Sequence, residues 1–288
     1  MRMNNKKNLK ILSFNLGLFN IQICGLSLYK PTKYINERLK YIPNEIIKAN
    51  SDIVGFQEIY NKHHQEYVIN ELKSEYPYHF LKNGARLKFD SGLMLLSKYP
   101  ITDGTFHPFN ENSFDEKIFV NKGFLTCDIF IKDFGKINFI NTHLTSGGTL
   151  QEQDSKKIVK IRDTQITQIH ETVLNNNSPS IILGDFNSGE QISPSNYQNL
   201  INNGFVDSNS KSGLNNYTWD SKIYLNKKGT HSNSISQKID HIFLQNTLLK
   251  KVNILSSEII FTESVFELNG NKIHLSDHFG IQTELVVQ

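Results

Sequence analysis

The sequence lacks most of the features that would fix its class directly. Only two cysteines, Cys24 and Cys127, occur among 288 residues. They fit two buried thiols better than a disulfide framework or a zinc site. No apolar run approaches the roughly 18 residues that a spanning helix needs, and the mean hydropathy of -0.39 agrees. Charge of one sign is barely in excess, with a formal net charge of +3 and an isoelectric point near 8.6. This favours anionic ligands but falls short of the clustered basic footprint of a protein that tracks nucleic acid. Residues 1–10 are polar and lack the apolar core of a secretory signal, so a cytoplasmic location, or export without a classical signal, is expected. No linker or repeat of fixed period interrupts the chain. The expectation is a flexible segment over residues 1–8 and one monomeric domain over 9–288.

What the sequence does have is a series of short apolar strands that stop at polar side chains. Residues 181–188 are the clearest case, an apolar run that ends at Asp185-Phe186-Asn187, a pattern that on its own also suits an Asx-type turn. Residues 9–14 read as a strand ending at Asn15, 52–56 as one ending at Gln57-Glu58, and 136–141 as one ending at Thr142-His143-Leu144. Residues 91–97 and 123–131 read as further strands, and 238–243 as a strand with Asp240 facing away from its apolar neighbours. Ser276-Asp277-His278 leads into a closing strand over 280–287. Helical spacing appears at Ile35, Leu39, Ile42 and Ile46, with Pro43 breaking or restarting the helix, and across 63–75. It appears again across 152–174, where Ile158, Ile161, Ile166, Ile169 and Val173 recur and Arg162 and Gln165 lie on the same helix. Asn269-Gly270 between apolar runs predicts a hairpin over 264–275. Residues 205–237, rich in Asn, Ser, Lys and Gly, read as a long surface excursion.

A carboxylate ending an apolar strand is costly to bury without a partner, so Glu58 calls for solvent, a cation or a metal. If the strands form two packed sheets, Asn15, Glu58, His143, Asp185, Asn187, Asp240, Asp277 and His278 converge on one cleft. Oxygen donors without a Cys-His cluster suit a hard cation such as Mg²⁺, with Mn²⁺ or another divalent ion as substitute. A carboxylate-held Mg²⁺ binds phosphate, so hydrolysis of a phosphate ester is the natural chemistry. Histidines then serve charge stabilisation and the leaving group.

The order of Ser13-Phe14-Asn15, Gln57-Glu58, Asn141-Thr142-His143, Gly184-Asp185-Phe186-Asn187, Lys238-Ile239-Asp240-His241 and Ser276-Asp277-His278 resembles the endonuclease/exonuclease/phosphatase superfamily over about residues 9–287. The resemblance implies a DNase I-like, four-layer α/β sandwich in which two packed mixed β-sheets are flanked by helices. It implies Glu58 as the main metal ligand, with Asn15 and Asp277 at the same site. It further implies Asp185 handling the attacking water, Asn187 holding water or a phosphate oxygen, Asp240 orienting His278 on the phosphate, and His143 at the transition state or leaving group. Ser91 to Ile101, Asn121 to Phe124 and Arg162 to Gln165 look most like the neutral sphingomyelinase branch, with Lys122 and Arg162 on the substrate side. Gly17, where many nuclease members carry an acidic residue, leans the same way. The polar hairpin tip Asn269-Gly270-Asn271 departs from the apolar, membrane-entering hairpin of secreted bacterial sphingomyelinases. The expectation is therefore a phosphodiesterase of phospholipase C type acting on a phospholipid, with peripheral membrane contact. A nuclease or small phosphoester phosphatase on the same fold, or an inactive binding module, are the alternatives.

Overall fold

A computed structural model describes residues 8–23, 26–82, 89–147, 153–210, 217–229 and 232–288. In chain order, β1 (Asn8–Asn15) is followed by the small hairpin β2 (Ile21–Ile23) and β3 (Leu26–Tyr29), then α1 (Ile35–Leu39), α2 (Ile42–Ala49) and β4 (Ile53–Gln57). Next come α3 (Lys62–Leu72), β5 (Tyr78–Phe80), β6 (Met94–Ser97), β7 (Ile101–Pro108), α4 (Phe114–Phe119), β8 (Gly123–Ile131) and β9 (Gly135–His143). The long α5 (Lys156–Leu174) leads to β10 (Ser180–Asp185), α6 (Pro194–Asn202), β11 (Phe205–Asp207), α7 (Tyr224–Lys227), β12 (Asp240–Gln245) and α8 (Asn246–Leu249). The chain closes with β13 (Val252–Ile260), the hairpin β14 (Ser264–Leu268) and β15 (Asn271–His274), and β16 (Gly280–Val287).

Two six-stranded sheets, ordered β13-β16-β1-β4-β6-β5 and β11-β12-β10-β9-β8-β7, form the body. Each is mixed, with one parallel pair at its centre: β1 with β4 and β9 with β10. Side chains alternate faces along a strand, and here alternation builds three layers of core. Leu9, Ile11, Ile53, Leu95, Phe139, Ile181, Leu183, Ile242 and Leu244 fill the space between the sheets. The outer face of the first sheet, including Phe14 and Phe56, packs on Ile35, Ile42, Ile46, Val68 and Leu72 of α1 to α3. The outer face of the second, including Ile140, Ile182 and Phe243, packs on Ile166 and Ile169 of α5 and Leu200 of α6. The result is a four-layer α/β sandwich of DNase I-like form, as expected. No helix among the described residues is long and apolar enough to cross a membrane.

Period-2 alternation also determines where the polar strand ends point. Asn15 continues the inward row Leu9-Ile11-Ser13, His143 the row Ile137-Phe139-Asn141, and Asp185 the row Ile181-Leu183. Asp240 extends the row of Ile242 and Leu244, so it lies on the same face as these neighbours at the row's open end, not opposite them. Each of these four strands therefore aims its polar end residue into the mouth of the gap between the sheets. Asn141 crosses that gap, donating from Nδ2 to the carbonyls of Phe56 and Met94 at 2.9 and 3.0 Å and accepting from Gln57 Nε2 at 2.7 Å. Gly55 leaves the room, since a Cβ there would fall 2.4 Å from Leu183 Cδ1.

Several local expectations hold with the boundaries shifted. Pro43 sits in the first turn of α2, where its missing N–H is tolerated, and it separates α2 from α1. Asn269 and Gly270 both have positive φ, 51° and 73°, as a two-residue type I′ hairpin requires. Asn8, expected in the leading segment, already pairs with Val286. Cys127 is buried, whereas Cys24 lies outside the described residues. Residues 205–237 differ from expectation, insofar as they are described. β11 joins a sheet edge, and Thr218 and Trp219 are buried, because they pair against Gln237 and pack under the site. Strands β7 and β13 escape the sequence pattern because both run half-exposed without a clean apolar alternation.

Candidate functional site

Asp185 is the hub. Register places it opposite His143 on β9 and opposite Asp240 on β12, so three neighbouring strands end in line. Its Oδ2 accepts from Asn15 Nδ2 of the other sheet at 3.0 Å and lies 3.5 Å from His143 Nε2 and 3.9 Å from His278 Nε2. Its Oδ1 accepts from the backbone N–H of Asn187 at 2.9 Å. Burial pushes the Asp185 carboxyl up to about 6, Asp240 adds to the shift, and His278 opposes it. A carboxylate poised there can take a proton from water near neutral pH.

Gly184 fixes this geometry. Its φ is +150°, and a Cβ would stand 2.0 Å from the Thr142 carbonyl oxygen across the β9–β10 pair. Backbone cannot yield as a flexible side chain does. Gly184→Ala is expected to cost more than about 3 kcal/mol and to part Asp185 from His143. Urea unfolding measures the loss, and a wild-type midpoint would contradict it.

His278 Nδ1 is 2.9 Å from Asp240 Oδ2. Burial alone would lower this histidine, but Asp240, then Asp185 and Asp277, outweigh it and hold the ring protonated well above its ordinary range. His143 is the opposite case: burial, then the charges of Lys122 and His278, hold it well below, so it stays neutral. The two imidazoles flank one carboxylate in different protonation states. His143 Nδ1 and Asp240 Oδ1 are buried and have no hydrogen-bond partner. Orphaned polar atoms of this kind mark a place where a ligand or water completes the pairing.

Glu58 and Asp277 form the other wall. Glu58 follows β4 with a φ of +58°, a left-handed conformation that a non-glycine residue adopts at a cost of order 1–3 kcal/mol. Asn15 Nδ2 donates to its Oε1 at 3.3 Å. Burial, reinforced by Asp277 and partly offset by His278, pushes the Glu58 carboxyl up to about 7. Gly17 makes room for Asp277, since a Cβ would meet its Oδ1 at 1.9 Å. Asp185, Asp240 and His278 bring ligand-capable atoms within 4.8 Å of one another. With Glu58 and Asp277 alongside, the site has more negative charge than its own side chains neutralise, and this fits a divalent cation.

Two buried arginines clamp the loops that carry these residues. Arg38, which sequence reasoning did not single out, donates to the carbonyls of Leu16, Gly17 and Leu275 and to Thr32 Oγ1. It thereby ties the Asn15 loop to the one before Asp277. Arg162 was expected on the substrate side, but the structure differs. Its guanidinium is fully buried and donates to Asn196 Oδ1, Ser193 Oγ and the carbonyls of Thr145 and Gln153. Gln153 in turn donates to Asn187 O and Oδ1, so Arg162 orders Asn187 from behind. Asn187, at φ +50°, donates from Nδ2 to the Leu144 carbonyl.

Lys122, expected near the phosphate or exposed, is 4% exposed and held 3.0 Å from Glu116. It donates to the Leu144 carbonyl at 2.8 Å, beside His143. Glu116 also accepts from Thr145 Oγ1 and from the backbone N–H of Ser146. The sequence signal for it was Ser113-x-x-Glu116, the capping box that starts α4. Thr218 Oγ1 accepts from the N–H groups of Ile239 and Asp240, both at 3.0 Å, fixing Asp240 from the 205–237 segment.

Behind β12, His241 Nδ1 lies 3.0 Å and Lys238 Nζ 2.8 Å from Asp207 Oδ2, and His241 Nε2 is 3.0 Å from the Ser188 carbonyl. Burial would raise the Asp207 carboxyl, but His241 and then Lys238 outweigh it and hold it well below the usual range. Asp207→Asn should cost on the order of 3 kcal/mol at pH 7. A depressed carboxyl stabilises fully above its unfolded value of about 3.9 and loses that contribution as pH falls through the folded value. The gap between wild type and variant should therefore close only below about pH 4. Urea titrations at pH 7 and pH 2.5 check both halves.

Comparisons with known proteins agree with this geometry. A Drosophila melanogaster protein provisionally named a neutral sphingomyelinase is 24% identical over 284 residues, covering 96% of this chain and 61% of that protein. Sphingomyelinase C 2 of Leptospira interrogans is 26% identical over 231 residues, covering 74% of this chain and 36% of that protein. The chain thus spans less than two thirds of these relatives' lengths. Among solved structures, beta toxin of Staphylococcus aureus superposes with a TM-score of 0.79 at 22% identity, covering 96% of this chain and 99% of that one. A beta toxin mutant with bound magnesium ions gives 0.76 at 21%, with the same coverage. TDP2 of D. rerio with a single-strand DNA product gives 0.66 at 19%, covering 96% and 98%. The profile of the Endonuclease/Exonuclease/phosphatase family matches residues 12–278, and with the fold and these strand-end side chains in place, the chain belongs to that family.

Proposed function

We propose that the protein is a Mg²⁺-dependent phosphodiesterase of sphingomyelinase type, which releases a phosphorylated headgroup from a phospholipid. One observation carries the reading: Asp185 Oδ2 is approached by Asn15, neutral His143 and protonated His278. The named relatives, two of them sphingomyelinases by name, supply the substrate class.

Glu58 is the main ligand for the ion, with Asn15 and Asp277 beside it. The Asp185–Asp240–His278 group is the less suitable ligand set, because His278 and Asp240 already share a hydrogen bond and a protonated imidazole has no lone pair to give. A divalent cation held there would supply the positive charge that offsets the substrate phosphate. Asp185 takes the proton of the attacking water, whose oxygen bonds to phosphorus as the bond to the lipid oxygen breaks, and the departing oxygen takes a proton from solvent water and leaves as the alcohol. His278 Nε2–H faces the phosphoryl oxygens, and its charge is kept by Asp240. His143 donates a hydrogen bond to the same group, and Asn187 holds the water.

The test of substrate class sets phosphocholine release from a dispersed phosphocholine diester against nicking of supercoiled plasmid, both with Mg²⁺. Release without nicking supports the reading. Nicking without release makes the protein a nuclease.

A further inference from the structure

We infer that α4 is a lipid-docking element that seats the protein on a zwitterionic bilayer, an inference that rests on the phospholipid reading above. Large apolar side chains are exposed singly or in twos on other elements among the described residues, but α4 exposes three: Phe114 at 62%, Ile118 at 47% and Phe119 at 44%. At about 100° per residue they span an arc of roughly 140°, so a single surface can take all three.

The opposite side of α4 explains why the patch is rigid and where it faces. Glu116 is buried and reaches Lys122, Thr145 Oγ1 and Ser146 N–H, the last two just past His143. The helix is therefore fastened at the His143 end of the cleft. Backbone bonds from Phe89 N to Phe119 O and from Asn121 N to Phe89 O continue the strip inward. Phe89 lies edge-on to Phe19 at 6.0 Å, and Phe19 packs on Tyr60 at 4.6 Å. Tyr60 is two residues from Glu58 and feels the charges of Glu58, Glu116 and Asp185. Main-chain bonds and two ring contacts thus lead from the exposed helix through Phe89 and Phe19 to Tyr60, beside Glu58 in sequence.

Charge selects the kind of surface. Lys122 answers Glu116, and the remaining α4 charges, Asp115 and Lys117, cancel. A helix with apolar insertion and no net charge matches a zwitterionic headgroup layer and gives no reason to need anionic lipid. The Asn269-Gly270 hairpin tip is polar and offers no comparable patch.

The test is co-sedimentation with sphingomyelin/phosphatidylcholine vesicles in chelator, so that nothing is hydrolysed. The triple substitution Phe114→Ser, Ile118→Ser, Phe119→Ser should lower the partition coefficient by at least about tenfold, and Phe114→Ser alone should lower it by a few fold, with thermal midpoints unchanged. Hydrolysis of a dispersed phosphocholine diester should stay within about twofold. Equal partitioning of wild type and triple variant would overturn the inference, as would a wild-type dimer that the triple variant converts to monomer without loss of vesicle binding. Lost partitioning in a protein that hydrolyses no phosphocholine ester would keep the docking surface and reject the phospholipase reading.

Discussion

Glu58→Gln is expected to lower phosphodiester turnover by roughly a thousandfold or more and to leave the fold in place. Glutamine keeps the shape and can still meet Asn15, so the left-handed turn after β4 loses no packing. It removes the negative charge that a hard cation needs. The carboxyl is pushed up to about 7 by burial and Asp277, so removing it also relieves repulsion, and the variant should unfold no more easily than wild type without Mg²⁺. The two effects separate in thermal melts with and without Mg²⁺. Wild type gains midpoint with the ion by mass action, and the variant does not. A variant that keeps both turnover and the Mg²⁺ shift would move the ion away from Glu58.

Asp240→Asn is the second large effect, a loss of roughly a hundred- to a thousandfold in turnover. Asp240 holds His278 at 2.9 Å and is the largest of the forces that keep it protonated against burial. With asparagine in its place the imidazole loses its proton at lower pH, so the alkaline limb of the rate profile should move toward acid. The sign for stability follows. The raised histidine stabilises the fold fully below its unfolded value of about 6.5 and loses that contribution as pH rises through the folded value. Asp240→Asn should therefore flatten the fall in stability as pH rises above about 6.5. Histidine NMR titration reads the shift directly, and an unmoved His278 resonance would overturn the pairing.

Much of this was legible in the sequence because a strand has a period of two. An apolar row that ends in Asn15, His143 or Asp185 names the face as well as the end, and two packed sheets bring such ends together; Asp240 opens its row beside apolar Ile239, and there the sequence pattern points to the wrong face. What the sequence hid lies off that period. Arg162 looked available to substrate, but its acceptors are carbonyls and side chains of distant loops, whose approach depends on the helix packing down. Arg38 was hidden for the same reason. Lys122 and Glu116 are six residues apart, and only the turn between α4 and β8 makes them partners. Thr218 came from a segment whose polar composition resembles a surface loop, although its hydroxyl is spent on the backbone of β12. Local composition reports solvation, and these residues are polar for the sake of buried partners.

The central claim is tested most directly by phosphocholine release from sphingomyelin vesicles across a Mg²⁺ titration, with wild type and Glu58→Gln side by side. The expected result is release by wild type that rises with Mg²⁺, stops on chelation and is nearly absent in the variant. Release that ignores both Mg²⁺ and Glu58, or no release at any Mg²⁺ level while another phosphate ester is cleaved, would contradict it.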